Sequence, residues 1–175
     1  MSPSRIRIAV ALLLIGGGFI GAQSFRWKGE KGAQRAHEKF LERVADRRWS
    51  KVRSMISVEY SDRWGFDREK VTRALQDVGG QFFIDLQIDW QTDSIVAGDE
   101  IFTITGRLEI DGRGGPAAEL ILRQGRVYLS ETFIFHWRRE GLLPWKWKLV
   151  KTEHPKVEVP AGYQPGDMSS MAAPF

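Results

Sequence analysis

A chain of 175 residues, 42% apolar and 27% charged, has room for one domain with a core of ordinary size. It contains no cysteine, which excludes a disulfide, a thiolate nucleophile, a cysteine-ligated metal and a lipidated cysteine after a leader. The net charge is +4, and residues 26–48 alone carry eight Lys/Arg against four Asp/Glu; that difference of four equals the net charge, so the basic excess sits near the N-terminus.

Arg5 and Arg7 precede an apolar run from Ile8 to Ala22, and a helix through it can continue to Phe25. This is the layout of a secretory signal or a signal anchor. A helix over residues 8–25 would be roughly 27 Å long at about 1.5 Å per residue, just enough to span a hydrocarbon core. Cleavage after Ala22 would put Ile20 at the −3 position, where a small residue is usual. The expectation is therefore an uncleaved membrane anchor over residues 1–25, with the domain outside the cytoplasmic membrane, in the periplasm; secretion after cleavage is the alternative. Gly16, Gly18 and Gly21 satisfy the spacing of a dinucleotide fingerprint. That motif must open an amphipathic helix packed on a sheet, and Gly29 and Gly32 interrupt any such helix here.

Residues 26–32 read as a basic, glycine-containing linker, and residues 33–158 as the domain. From Ala33 the period is helical: Ala36, Phe40 and Val44 repeat at four, with charged pairs on the other face. Trp49, Val52 and Ile56 predict a second, short helix. Asp67 is placed to cap a third, with Val71, Ala74, Leu75 and Val78 as its apolar stripe and Gly79-Gly80 at its end. After Gly80 the period becomes two. Phe82, Ile84, Leu86, Ile88 and Trp90 alternate with polar residues in one predicted strand; Phe102, Ile104, Leu108 and Ile110 do so in the next. Pro116 opens a short helix. ETFIFHWRR and WKWKLVK close the domain as two strands. Residues 159–175, rich in Pro, Gly, Ser and Met, are expected to be a disordered tail.

The last hairpin holds three of the seven tryptophans. Strand alternation puts Phe133, Phe135 and Trp137 on one face, and Trp145, Trp147 and Leu149 on one face, with most of the basic residues opposite. A single-strand nucleic-acid binder needs aromatics and cations on one surface. The tryptophans are better read as core or cavity wall. Nucleic-acid binding through the basic tether is kept as an alternative; it predicts affinity that falls steeply with salt.

Helices first, then an antiparallel sheet ending in a tryptophan-rich hairpin: this order resembles the nuclear transport factor 2-like (cystatin-like cone) superfamily. The similar stretches are AHEKFLERVADRRWSKVRSMIS and FIFHWRREGLLPWKWKLVKTEH, and the resemblance covers residues 33–157. It implies an α+β fold with N-terminal helices packed on a strongly bent, cone-shaped antiparallel sheet, here preceded by a transmembrane or signal helix. The superfamily includes ketosteroid isomerases, epoxide hydrolases and polyketide cyclases, along with many non-enzymatic binding domains. The membrane-anchored layout also resembles the periplasmic inner-membrane component of type IV secretion systems. Dimerisation or partner binding through the outer sheet face is a further implication.

Enzymes of that superfamily carry an acid or base inside the cone. By alternation the inner face holds Phe82, Ile84, Leu86, Ile88, Phe102, Ile104, Leu108, Phe133, Phe135, Trp145 and Trp147, almost wholly apolar. Glu131 shares their parity and is the one inner carboxylate on a predicted strand. In an apolar pocket it could act as general acid or base. Tyr60, Trp64 and Tyr128 are candidates for the pocket mouth. Asp85 and Asp89 fall on the polar face. His37, His136 and His154 lack metal-ligand spacing, and no nucleophile elbow or phosphate loop occurs. No metal or other cofactor is expected. The reading is a membrane-tethered, non-catalytic module for a small apolar ligand or a protein partner, with an enzyme built on Glu131 as the rival.

Overall fold

The apolar stripe that begins the domain forms α1 (Gly29–Ala45), burying Ala33, Ala36, His37, Phe40, Leu41 and Val44 along one side. The computed structural model describes residues 29–167 apart from 130, 142 and 144, so the expected anchor over residues 1–25 lies outside the described residues. Helix α1 takes in residues 29–32 of the expected linker. It ends where Arg47 turns to φ 55°, and the Arg48 N–H reaches back to the Arg43 carbonyl at 2.9 Å. Helix α2 (Trp49–Met55) follows at once. Asp67 caps α3 (Arg68–Gly80) by accepting from the Lys70 N–H at 2.9 Å.

Four strands follow: β1 (Asp85–Ala97), β2 (Ile101–Arg113), β3 (Phe133–Arg139) and β4 (Trp147–Glu153). They form one antiparallel sheet in the order β1-β2-β3-β4. Helix α4 (Pro116–Tyr128), with proline in its first turn, links β2 to β3. The core joins one sheet face to the helices: Phe40 and Val44 of α1 and Val52 of α2 meet Ile104, Phe135, Trp137 and Leu149. Among the described residues no helix is long and apolar enough to cross a membrane.

Alternation holds along most of each strand and fails at strand ends and at a bulge in β4. Phe133, Phe135, Trp137, Trp147 and Leu149 are buried as expected. Of the rest of the expected inner face, Leu86, Ile88, Phe102 and Leu108 are half-buried and two members are exposed. Strand β1 begins at Asp85, leaving Ile84 55% exposed, and β4 begins at Trp147, leaving Trp145 38% exposed in the hairpin. Residues 159–167 of the expected disordered tail have a defined place, held to α3 by the hydrogen bonds described below.

Candidate functional site

Helices α1 and α3, the 60–66 loop, the sheet and the segment after β4 enclose a pocket of about 270 Å³. Its wall is hydrocarbon: Phe40, Leu41 and Val44 from α1, Val71, Leu75 and Val78 from α3, Leu86 and Ile88 from β1, Phe133 and Phe135 from β3. Four polar side chains also line it: Tyr60, Asp62, Trp64 and Thr152.

Each of the four is turned toward protein. The Tyr60 hydroxyl donates to Asp62 Oδ2 at 3.0 Å, and Thr152 hydrogen-bonds the same phenol. Asp62 Oδ1 accepts from the Trp64 and Phe66 backbone N–H groups, both at 3.0 Å, which fixes the loop. The Trp64 indole N–H donates to the Val157 carbonyl at 2.9 Å. Burial drives the Tyr60 phenol far above the ordinary tyrosine range; the Thr152 hydrogen bond opposes this and the Asp62 charge adds to it. Tyr60 is therefore a neutral hydroxyl at any physiological pH, not a base.

Thr152 is a lining residue that alternation does not reveal. Trp137 pairs with Leu149 and His136 with Lys151, leaving Val150 as a bulge that flips parity. Thr152 then sits opposite Phe135, and His154 packs its ring 4.2 Å from Phe133.

Glu131 is not in the pocket. It is half-exposed and paired with the Lys156 ammonium, whose hydrogen bond and charge hold the carboxyl below its usual range. It precedes β3, so the parity extrapolated from Phe133 and Phe135 does not apply to it. Tyr60, Trp64, Phe133 and Phe135 are brought together at the pocket. Trp145 and Trp147 instead line a more open trough of about 750 Å³ between α1 and the last hairpin, beside Lys39, Arg43, Lys146 and Lys148. Tyr128 ends α4, and its side chain lies outside the described part of the structure. Asp85 and Asp89 are on β1 as expected, Asp85 3.0 Å from Arg113. Among the described residues no group of three or more His, Asp or Glu side chains is placed to hold a metal ion.

His37 is the polar residue that the charged pattern of its helix concealed. It is fully buried, its ring 4.5 Å from Trp90 and 4.6 Å from Phe135. Neither ring nitrogen has a hydrogen-bond partner among the described residues, and the same is true of Trp137 Nε1 nearby. Burial lowers the His37 pKa to about 3.

No family model and no curated protein matches the sequence. Solved structures do match the fold. A conserved protein from Planctomyces limnophilus aligns at TM-score 0.52 and 14% identity, over 70% of this chain and 92% of that one. An NTF2-like family protein from Streptomyces avermitilis aligns at 0.50 and 14%, over 68% and 89%. The chain has the nuclear transport factor 2-like fold. Bd1075 of Bdellovibrio bacteriovorus shares it at 0.52 and 8% identity; 71% of this chain aligns there, spanning 39% of the Bd1075 chain. At these identities the likeness establishes the nuclear transport factor 2-like fold and leaves the activity to be argued from the pocket.

Proposed function

We propose that this protein is a binding module that holds a small apolar ligand in the pocket between α1, α3 and the sheet, without catalysis, and that residues 8–25 tether it to a membrane. One observation carries the reading. The pocket has a hydrocarbon wall, and the hydrogen bonds of its polar side chains run to protein partners rather than converging on a shared point inside. A catalytic site needs convergent polar groups held ready for a reacting atom. Glu131, the acid that a rival enzymatic reading requires, is bound to Lys156 outside the pocket wall.

Native mass spectrometry of the gently purified full chain tests the ligand. The expected result is a mass excess from a small apolar molecule, lost when Ala74→Phe fills the pocket. A bare mass for the wild type, with a marked loss of stability on filling, would show a plain core. Glu131→Gln should leave both the bound mass and the unfolding midpoint unchanged; an effect on ligand turnover would revive the enzyme. For the tether, the full chain should sediment with membranes and a chain lacking residues 1–28 should not. Release of the full chain by salt alone would sink the anchor.

A further inference from the structure

The pocket's polar groups also restrict what can occupy it, and this inference rests on the binding-module reading above. Among its polar lining side chains, the Tyr60 O–H is donated to Asp62, the Trp64 N–H to Val157, and Thr152 is engaged with the Tyr60 phenol. A carbonyl, carboxylate or phosphate placed inside would find no free side-chain donor on the wall. An acceptor buried without a donor is disfavoured. We infer that the occupant of the pocket is a hydrocarbon group, such as an alkyl or acyl chain, whose polar end, where it has one, stays outside. A dry apolar cavity of about 150 Å³ takes benzene, so a pocket near 270 Å³ takes roughly ten carbons.

On this reading the route in is the segment after β4. Val157 and Val159 form part of the pocket wall. The same segment is fastened at both ends of that stretch. Before it, the Trp64 indole grips the Val157 carbonyl; beyond it, the Tyr163 hydroxyl and the Gly166 N–H donate to Asp77 Oδ2 at 2.8 and 2.6 Å. Asp77 is fully buried on α3, so this latch is anchored in the fold. Tyr163 and Gly166 are not on the wall. Loosening the latch therefore changes access to the pocket and leaves the binding surface intact.

The test uses the full chain in a fluorinated surfactant, whose tail mixes poorly with hydrocarbon. The probes are n-alkanols of six to twelve carbons, carboxylates of the same lengths, and a lysophosphatidylcholine series; the readout is tryptophan fluorescence. Alkanol affinity should rise about fourfold per methylene and level off near ten carbons. Tyr163→Phe should speed both association and dissociation about fivefold, the worth of one hydrogen bond, at nearly constant affinity. Ala74→Phe should abolish binding. Lysolipids that bind as tightly as alkanols of equal chain identify a membrane lipid as the source, whereas binding of alkanols alone identifies a soluble ligand. A carboxylate that binds tenfold tighter than its alkanol, or an affinity independent of chain length, overturns the hydrocarbon assignment while the binding-module reading stands. If no probe binds either the wild type or Tyr163→Phe, the binding-module reading falls as well.

Discussion

His37 illustrates how one residue can set the acid limit of a fold. Its folded pKa is about 3 and its unfolded value 6.5, so below pH 6.5 the unfolded chain takes up the proton first. Its contribution to stability is intact above pH 6.5 and is lost as the pH falls toward 3, at about 1.4 kcal/mol per pH unit. His37→Phe should remove that slope. Between pH 7 and pH 5 the variant should gain about 2 kcal/mol on the wild type in urea unfolding; parallel pH profiles would show that the ring is solvated after all. Asp62 has the opposite character, since it satisfies three donors. Asp62→Ala should cost about 3 kcal/mol and Tyr60→Phe about 1 kcal/mol, both read from denaturant midpoints. Equal costs would mean that the loop N–H groups find water instead.

At the scale of elements, alternation in the sequence reads the strands correctly up to their bulges and ends. The apolar side chains that face the core in β3 and β4 are Phe133, Phe135, Trp137, Trp147 and Leu149, and all five were legible. Strand ends were not: nothing local in the composition distinguishes Trp145 in a turn from Trp147 in a strand. The bulge at Val150 was invisible as well, because it depends on pairing with a partner strand rather than on the sequence around it. Thr152 and His154 were missed for that reason. His37 does carry a sequence signal, since it lies on the Ala33, Phe40, Leu41, Val44 stripe of α1. Close strand packing makes its own demand. An added Cβ at Gly106 would collide with the Gln91 carbonyl oxygen and the Trp90 ring. Gly106→Ala should therefore lower stability by more than the ~1 kcal/mol of a typical substitution, and Trp137→Ala by about 3–5 kcal/mol. Thermal unfolding checks both, and a neutral Gly106→Ala would mean that β1 and β2 can part locally without cost.

For the molecule as a whole, the helices, the sheet and the connecting segments supply comparable shares of the pocket wall, and the segment after β4 supplies its proposed closure. A chain ending at residue 158 keeps every helix and strand and loses the Asp77 latch. It should fold with near-native circular dichroism, melt several degrees lower and bind a hydrophobic dye that the full chain excludes. Unchanged dye binding would show that the pocket closes without the latch.

That closure comes after everything it covers in the order of synthesis. Helices α1 and α3 and all four strands leave the ribosome before Tyr163 does. Domains begin to fold as they emerge, at about 5–20 residues per second. At that rate the stretch from Glu153 to Tyr163 takes on the order of a second to synthesise, and a sheet assembled within that time would leave the apolar pocket open. A hydrophobic passenger captured in that interval would be latched in by Tyr163 and Gly166. A chaperone holding the nascent chain would cover the same wall and compete with that passenger.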